Sequence, residues 1–277
     1  MNQRLRSFLL WISVPLCIAL AVTGLSVFWP GIYWREKPAS VVGAVVSDIL
    51  DLCLILPTLV VTTVLARRGS LCALLVWAGT LGYLCYNFPI YVFDVHFNAM
   101  FPAYCAVMGL SFYGLMGVRE FLVPGEVAKT YSPGAPRRSI AAAFILLALF
   151  AGAHELQEIV LAIRAGQIPA GAAGAGQFTD PIHVLDLCFL LPALVIAAVM
   201  LLRRKEMGFT LAPVLSVVLI LISIEVIAMI VVPVEKGLAG DLTPAISFAV
   251  PGGLFAVLLG WYLYPKRKGA EQAGMLS

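Results

Sequence analysis

Eight ionisable side chains interrupt stretches that are otherwise greasy: Asp48 and Asp51, then His154, Glu155 and Glu158, then His183 and Asp186, and last Glu225. A charge in hydrocarbon is costly unless it is paired, neutralised or hydrated, so such positions carry information about function. Asp48 and Asp51 are three apart, as are His183 and Asp186, while His154 and Glu158 are four apart, so each pair shares one side of a helix. Glu155 adds a carboxyl beside the His154 and Glu158 face. Counted inward from the helix ends, Glu158 and Asp186 fall at similar depth, with Glu225 about one turn deeper. The candidate site is therefore Asp51, Glu158, His183, Asp186 and Glu225, with Asp48, His154 and Glu155 as secondary members.

Three kinds of chemistry fit these residue types. Carboxyls shielded from water bind cations or exchange protons, which suits transport of an ion or small solute through an outward-facing polar cavity. Two imidazoles with two carboxyls, His154, Glu158, His183 and Asp186, form a possible ligand set for zinc, manganese or iron, or an acid and base pair for an embedded enzyme. No HExxH spacing accompanies them, a bis-histidine haem is opposed by the different depths of His154 and His183, and GxSxG is absent. In the third reading the polar residues only fix helix packing in a sensor or assembly partner. No nucleotide-binding or kinase motif occurs, so pumping would draw on ion gradients, and the sequence names neither cofactor, reaction nor oligomeric state.

The elements that must position these residues are transmembrane helices. The 277 residues are 61% hydrophobic and 12% charged, with a mean hydropathy of +0.99, which excludes an ordinary soluble domain. Eight apolar runs approach the roughly 20 residues a membrane helix needs: 8–29, 45–66, 71–93, 98–118, 140–163, 181–202, 209–232 and 243–264. The fold class expected is an all-α integral membrane protein whose surroundings are the lipid bilayer. Arg4 and Arg6, Arg67 and Arg68, Arg119, Lys129, Arg137 and Arg138, Arg203, Arg204 and Lys205, and the tail residues Lys266, Arg267 and Lys268 fall on one side. Arg35, Lys37, Arg164 and Lys236 fall on the other, so both termini are expected to be cytoplasmic, in a plasma (inner) membrane. The net charge of +3 then reports topology rather than nucleic-acid binding.

The first run is long for a signal-peptide core and lacks a small-x-small exit, so it reads as a retained helix. Val14-Pro15-Leu16-Cys17 lacks the small residue a lipid anchor needs before its cysteine. The six cysteines lie in apolar runs without CxxC spacing and read as buried thiols, although Cys53 and Cys188 occupy matching places.

That match belongs to an internal repeat. Residues 50–60 read LDLCLILPTLV and residues 185–195 read LDLCFLLPALV, identical at eight of eleven positions, and each copy runs on to an arginine pair. Because an even number of spans separates the copies, they have the same orientation, giving two parallel four-helix repeats. The halves are 1–118 and 140–264, joined by a cytoplasmic linker at 119–139 with Pro124-Gly125, Pro133-Gly134 and Pro136, and followed by a tail at 265–277. Pro57 and Pro192 sit mid-helix at matched sites and predict kinks, either for shape alone or as hinges opening a cavity. The first helix reads GLSVFWPGIY where the fifth carries ionisable residues, so the principal site is expected in the second half. Asp51 joins it only if the second and sixth helices meet. The Gly/Ala-rich stretch 165–176 reads as a connector or a lid, and Asp94 and His96 as solvated loop residues.

The segment Asp180-Pro181-Ile182-His183-Val184-Leu185-Asp186-Leu187, with Leu191-Pro192 and the Arg203-Arg204 turn, resembles a pattern in uncharacterised bacterial eight-helix membrane proteins. Phe93-Asp94-Val95-His96-Phe97-Asn98-Ala99-Met100-Phe101 with Tyr104 and Leu110-Ser111, and Leu156-Gln157-Glu158-Ile159, extend the likeness over most of the chain. The resemblance implies Glu158, His183 and Asp186 as motif positions and brings no activity. Asp94 and His96 depart from its smaller, neutral residues.

Overall fold

Runs of Leu, Val, Ile and Ala longer than four helical turns, in a chain poor in polar partners for its backbone, can satisfy their peptide groups only within themselves. In the computed structural model, which describes residues 3–122, 124–131, 135–237 and 241–264, the regular structure is all helical. The expected tail with Lys266, Arg267 and Lys268, and Pro133-Gly134 of the linker, lie outside the described residues.

Helix α1 (Gln3–Leu25) ends in one 3-10 turn, Ser26–Phe28. Helix α2 (Pro38–Leu50) passes through a π-turn, Asp51–Ile55, into α3 (Leu56–Arg67). Next come α4 (Leu71–Phe93), α5 (Phe101–Val118), the short α6 (Pro124–Tyr131) and the long α7 (Arg137–Ala165). After the short α8 (Ala170–Ala175), α9 (Pro181–Leu185) runs through a second π-turn, Asp186–Leu190, into α10 (Leu191–Leu202). Helices α11 (Glu206–Glu235) and α12 (Thr243–Leu263) complete the fold. Eight rods, counting α2–α3 and α9–α10 as one each, are long and apolar enough to cross a membrane. They coincide with the eight apolar runs.

Local chemistry sets the ends. Proline opens α2, α5, α9 and α12, where its missing N–H costs nothing. The Ser70 hydroxyl accepts from the Ala73 N–H at 3.2 Å, capping α4. The Asp180 carboxyl accepts from the N–H groups of Ile182 at 3.0 Å and His183 at 3.2 Å, capping α9.

A π-turn precedes each of the matched prolines where kinks are expected. Pro57 and Pro192 have no N–H to give and would press against the carbonyl four residues back in a regular α-helix. Widening the preceding turn relieves this: the Leu56 N–H bonds the Asp51 carbonyl, and the Leu191 N–H bonds that of Asp186, each five residues back. Both rods therefore continue, and each turn begins at an aspartate.

Helix α4 is the pillar of the bundle, with 67% of its most apolar window buried against 28–44% in the other seven rods. It packs on α3, α5 and α11. Where α4 meets α11 a side chain at Gly79 would put its Cβ 2.5 Å from that of Val217 and 2.9 Å from the Val214 carbonyl oxygen. Glycine at this position lets the two helix backbones approach closely.

Two connecting segments are more ordered than their composition implies. Within the linker, α6 packs on α11, burying Val127 and setting Tyr131 5.3 Å from the Tyr262 ring. In the Gly/Ala-rich stretch Ala172 is fully buried, Lys37 donates to the Ala173 carbonyl at 3.1 Å, and Gln177 donates to Asp94. Small side chains let this segment lie flat against its neighbours, so it is a docked cover rather than a bare connector. His96 is paired with Glu36 at 2.9 Å.

Candidate functional site

One helical face of α4 carries Tyr83, Asn87 and Tyr91, at steps of four, toward α2 and α11. Glu225 of α11 accepts from Tyr83 Oη at 2.8 Å and Asn87 Nδ2 at 3.0 Å, and also from the Ser47 hydroxyl of α2. Its carboxyl is thereby held by donors from two other helices, α4 and α2. Asp48 accepts from Tyr33 Oη at 2.8 Å and, more weakly, from Tyr91 Oη at 3.4 Å and Ser26 Oγ at 3.5 Å. The Tyr33 hydroxyl, in the loop after α1, is also 3.3 Å from that of Tyr104. Burial first, and the Asp48 charge second, push the Tyr33 hydroxyl well above the usual tyrosine range.

Asp51 stands apart from both. It is 0% exposed, and neither carboxyl oxygen has a hydrogen-bond partner among the described residues. The charges within its electrostatic reach are those of Glu225 and Asp48, which share its sign. A group so placed is unstable as a bare anion and asks for a proton or a cation.

A second cluster meets α4 at Tyr86, three residues beyond Tyr83. Tyr86 Oη donates to Asp186 Oδ1 at 2.9 Å. The Glu155 carboxyl meets that of Asp186, a contact that holds only with a proton or cation between them, and Glu155 Oε2 has no partner among the described residues. His183 Nε2 is 3.3 Å from Glu158 Oε2. Its Nδ1 is 3.5 Å from Asp180 Oδ2 but without hydrogen-bond geometry, an electrostatic contact only. Tyr83 and Tyr86 each donate to a carboxyl of one cluster, so α4 supplies a hydroxyl to both.

The sequence-derived set thus divides. Asp48, Asp51 and Glu225 come together, and Glu155, Glu158, His183 and Asp186 come together. The two most buried acids, Asp48 and Asp51, lie in the first half, on α2 and its π-turn, and Glu225 of the second half joins them because α11 packs against α2. Asp51 reaches Glu225 through α11 and needs no meeting of the second and sixth rods. On α7, the helix rotation turns Glu155 inward at 7% exposure, leaves Glu158 at the rim, and leaves His154 exposed outside both clusters. His154, Glu158, His183 and Asp186 accordingly do not make one shell, and the described residues hold no group of three or more His, Cys, Asp or Glu placed for a metal ion. Cys53 and Cys188 are exposed free thiols.

Ser47, Tyr33, Tyr83, Tyr86, Asn87, Tyr91 and Tyr104 were not singled out by a search for ionisable groups. A helical-face reading of 71–93 would have found the tyrosine and asparagine stripe. The chain was compared with models of protein families, with curated proteins and with solved structures, and matches none of them.

Proposed function

We infer that this chain is an integral membrane protein of two parallel four-helix repeats that carries protons or small cations through its carboxyl and tyrosine clusters. Eight apolar rods and a broad exposed apolar surface, including Trp11, Ile18, Phe150 and Val257, suit lipid as the solvent. The matched π-turns support the duplication. The arginine-rich ends of α3 and α10 then face the cytoplasm, and Asp48, Asp51, Glu155 and Asp186 lie in the outer half of the bilayer.

The single observation carrying this reading is Asp51, a buried carboxyl with like-charged neighbours and no hydrogen-bond donor. An acid kept only for packing would be given partners, as Glu225 is. In the proposed cycle Asp51 takes up a proton and hands it on by way of Glu225 and Tyr83 toward Tyr86 and the Asp186 and Glu155 pair, while a small cation would bind at Asp51 in place of that proton. The hydroxyls act as relays that stay protonated overall, donating one proton as they accept another.

Reconstitution into liposomes holding a pH-sensitive dye, under an imposed potassium diffusion potential, tests this. Wild type should change the internal pH or conduct a monovalent cation, and Asp51→Asn should reduce the flux by about tenfold or more, equivalent to about 1.4 kcal/mol. Equal flux in wild type, Asp51→Asn and empty liposomes would overturn the proposal.

A further inference from the structure

The opposite ends of α7 and α10 carry Arg137, Arg138 and Arg204. The turn after α10 and the start of α7 enclose an open hollow of about 460 Å³ walled by Arg137, Arg138, Ser139, Arg204 and Phe209. Among the described residues none of these three arginines is in an ion pair, and Arg137 Nε is buried without a hydrogen-bond partner. A guanidinium N–H without a protein acceptor is open to an anion. The adjacent Glu206 carboxylate does not supply it, being turned toward Gly125, 3.4 Å from where that residue's Cβ would sit.

Two features of the backbone add to this. Helix α7 begins without a side-chain cap, so the first-turn N–H groups of Arg138 and Ser139 are available to an anion. Arg204 has φ 56°, the one non-glycine residue with positive φ among the described residues. The corresponding turn after α3 uses Gly69, with φ 101°. Glycine would adopt this conformation without strain, and the chain places an arginine there instead.

The first half repeats the arrangement on a smaller scale. Arg6 of α1 and Arg67 of α3, with Gln3, Ser7 and Leu10, wall a hollow of about 370 Å³. Arg67 Nε is again buried without a partner.

We propose that the hollow walled by Arg137, Arg138, Ser139 and Arg204 binds the phosphate group of an anionic phospholipid, and that the Arg6 and Arg67 hollow is a second, smaller copy of the site. Fork-shaped guanidinium donors match phosphate oxygens two at a time. Both hollows open where apolar helices meet a basic rim, which is where a lipid presents its headgroup with its chains along the helix. The inference rests on the membrane reading above and not on transport.

Thermal unfolding of the full chain in a neutral detergent, followed by tryptophan fluorescence, tests it with three probes: phosphatidylglycerol, phosphatidylcholine and inorganic phosphate. Phosphatidylglycerol should raise the midpoint saturably, while phosphatidylcholine and millimolar inorganic phosphate leave it in place. Arg137→Gln and Arg204→Gly should each weaken the apparent phosphatidylglycerol affinity by about tenfold or more. Arg204→Gly also relieves the backbone, so without lipid its midpoint should equal or exceed that of wild type, which separates lost binding from lost folding. An undiminished phosphatidylglycerol response in both variants, or an equal response to phosphatidylcholine, would overturn the site. A full response to inorganic phosphate alone would overturn the lipid source and leave phosphate recognition. Release of the chain from membranes by alkaline carbonate would instead remove the membrane reading, and is scored independently.

Discussion

Asp51 and Asp186 open matching π-turns in segments that share eight of eleven residues, yet their surroundings differ. The first copy is enclosed by α1, α4 and α11 so tightly that a Cβ on Gly24 would lie 2.5 Å from Leu52 Cγ. The second packs on α4, α7 and α11 but leaves Phe189 66% exposed. Asp51 is consequently sealed and unpartnered, while Asp186 receives the Tyr86 hydroxyl and the Glu155 carboxyl. The motif fixes the backbone, and the neighbouring helices decide what the same carboxyl can do. On this view Asp51 is the site that binds and releases, and Asp186 is a supported partner.

The comparison breaks most visibly in stability. Glu225→Ala strands the Ser47, Tyr83 and Asn87 donors in the interior and should cost about 3 kcal/mol, lowering the unfolding midpoint by about 6 °C or more. Asp51→Asn removes a carboxyl that has no partner to lose, so its midpoint should stay level or rise. Differential scanning fluorimetry of the two variants in one detergent reads both signs. If Asp51→Asn falls as far as Glu225→Ala, Asp51 has partners and the contrast collapses.

A smaller effect concerns the link between the clusters. Tyr86→Phe deletes the donor to Asp186 with little change of shape and should cost about 1 kcal/mol. In the liposome assay it should slow flux while leaving Tyr83 and Glu225 in place. Unchanged flux would confine the pathway to the Asp51 cluster.

The eight helical rods were readable in the sequence because apolar runs of this length are local signals. Two rods, Arg137–Ala165 and Glu206–Glu235, extend beyond the expected ends by up to about a turn. The candidate acids were also readable, since an ionisable residue among leucines stands out. Which of them meet was not, because helix rotation and neighbour choice are set by packing. His154 and Glu155 are adjacent in sequence, and a rotation of about 100° per residue decides which one faces in. Tyr83, Tyr86 and Asn87 escaped because uncharged polar groups do not stand out by composition, although each donates a hydrogen bond to a clustered carboxyl.

An acid outside the spans sharpens the comparison from the other side, and with the smallest effect. Burial pushes the Asp94 carboxyl above the usual aspartate range, with the Gln177 hydrogen bond drawing it part of the way back. The folded chain therefore holds this proton more firmly than the unfolded chain does. In the interval just above the ordinary aspartate pKa of about 3.9, the folded state binds more protons, so this residue's contribution to stability falls as pH rises. Asp94→Asn keeps an acceptor for Gln177 and abolishes the titration. Its midpoint relative to wild type should rise between about pH 4 and pH 6 by less than about 2 °C, since solvent screens a half-exposed group. Midpoints that run parallel across that interval would mean that the docked Gly/Ala-rich cover leaves Asp94 as well hydrated as a free side chain. A difference that grows with pH would mean that even a rim carboxyl is partly desolvated under that cover, and that Asp51, sealed among like charges, is the extreme of a gradient running inward from the loops.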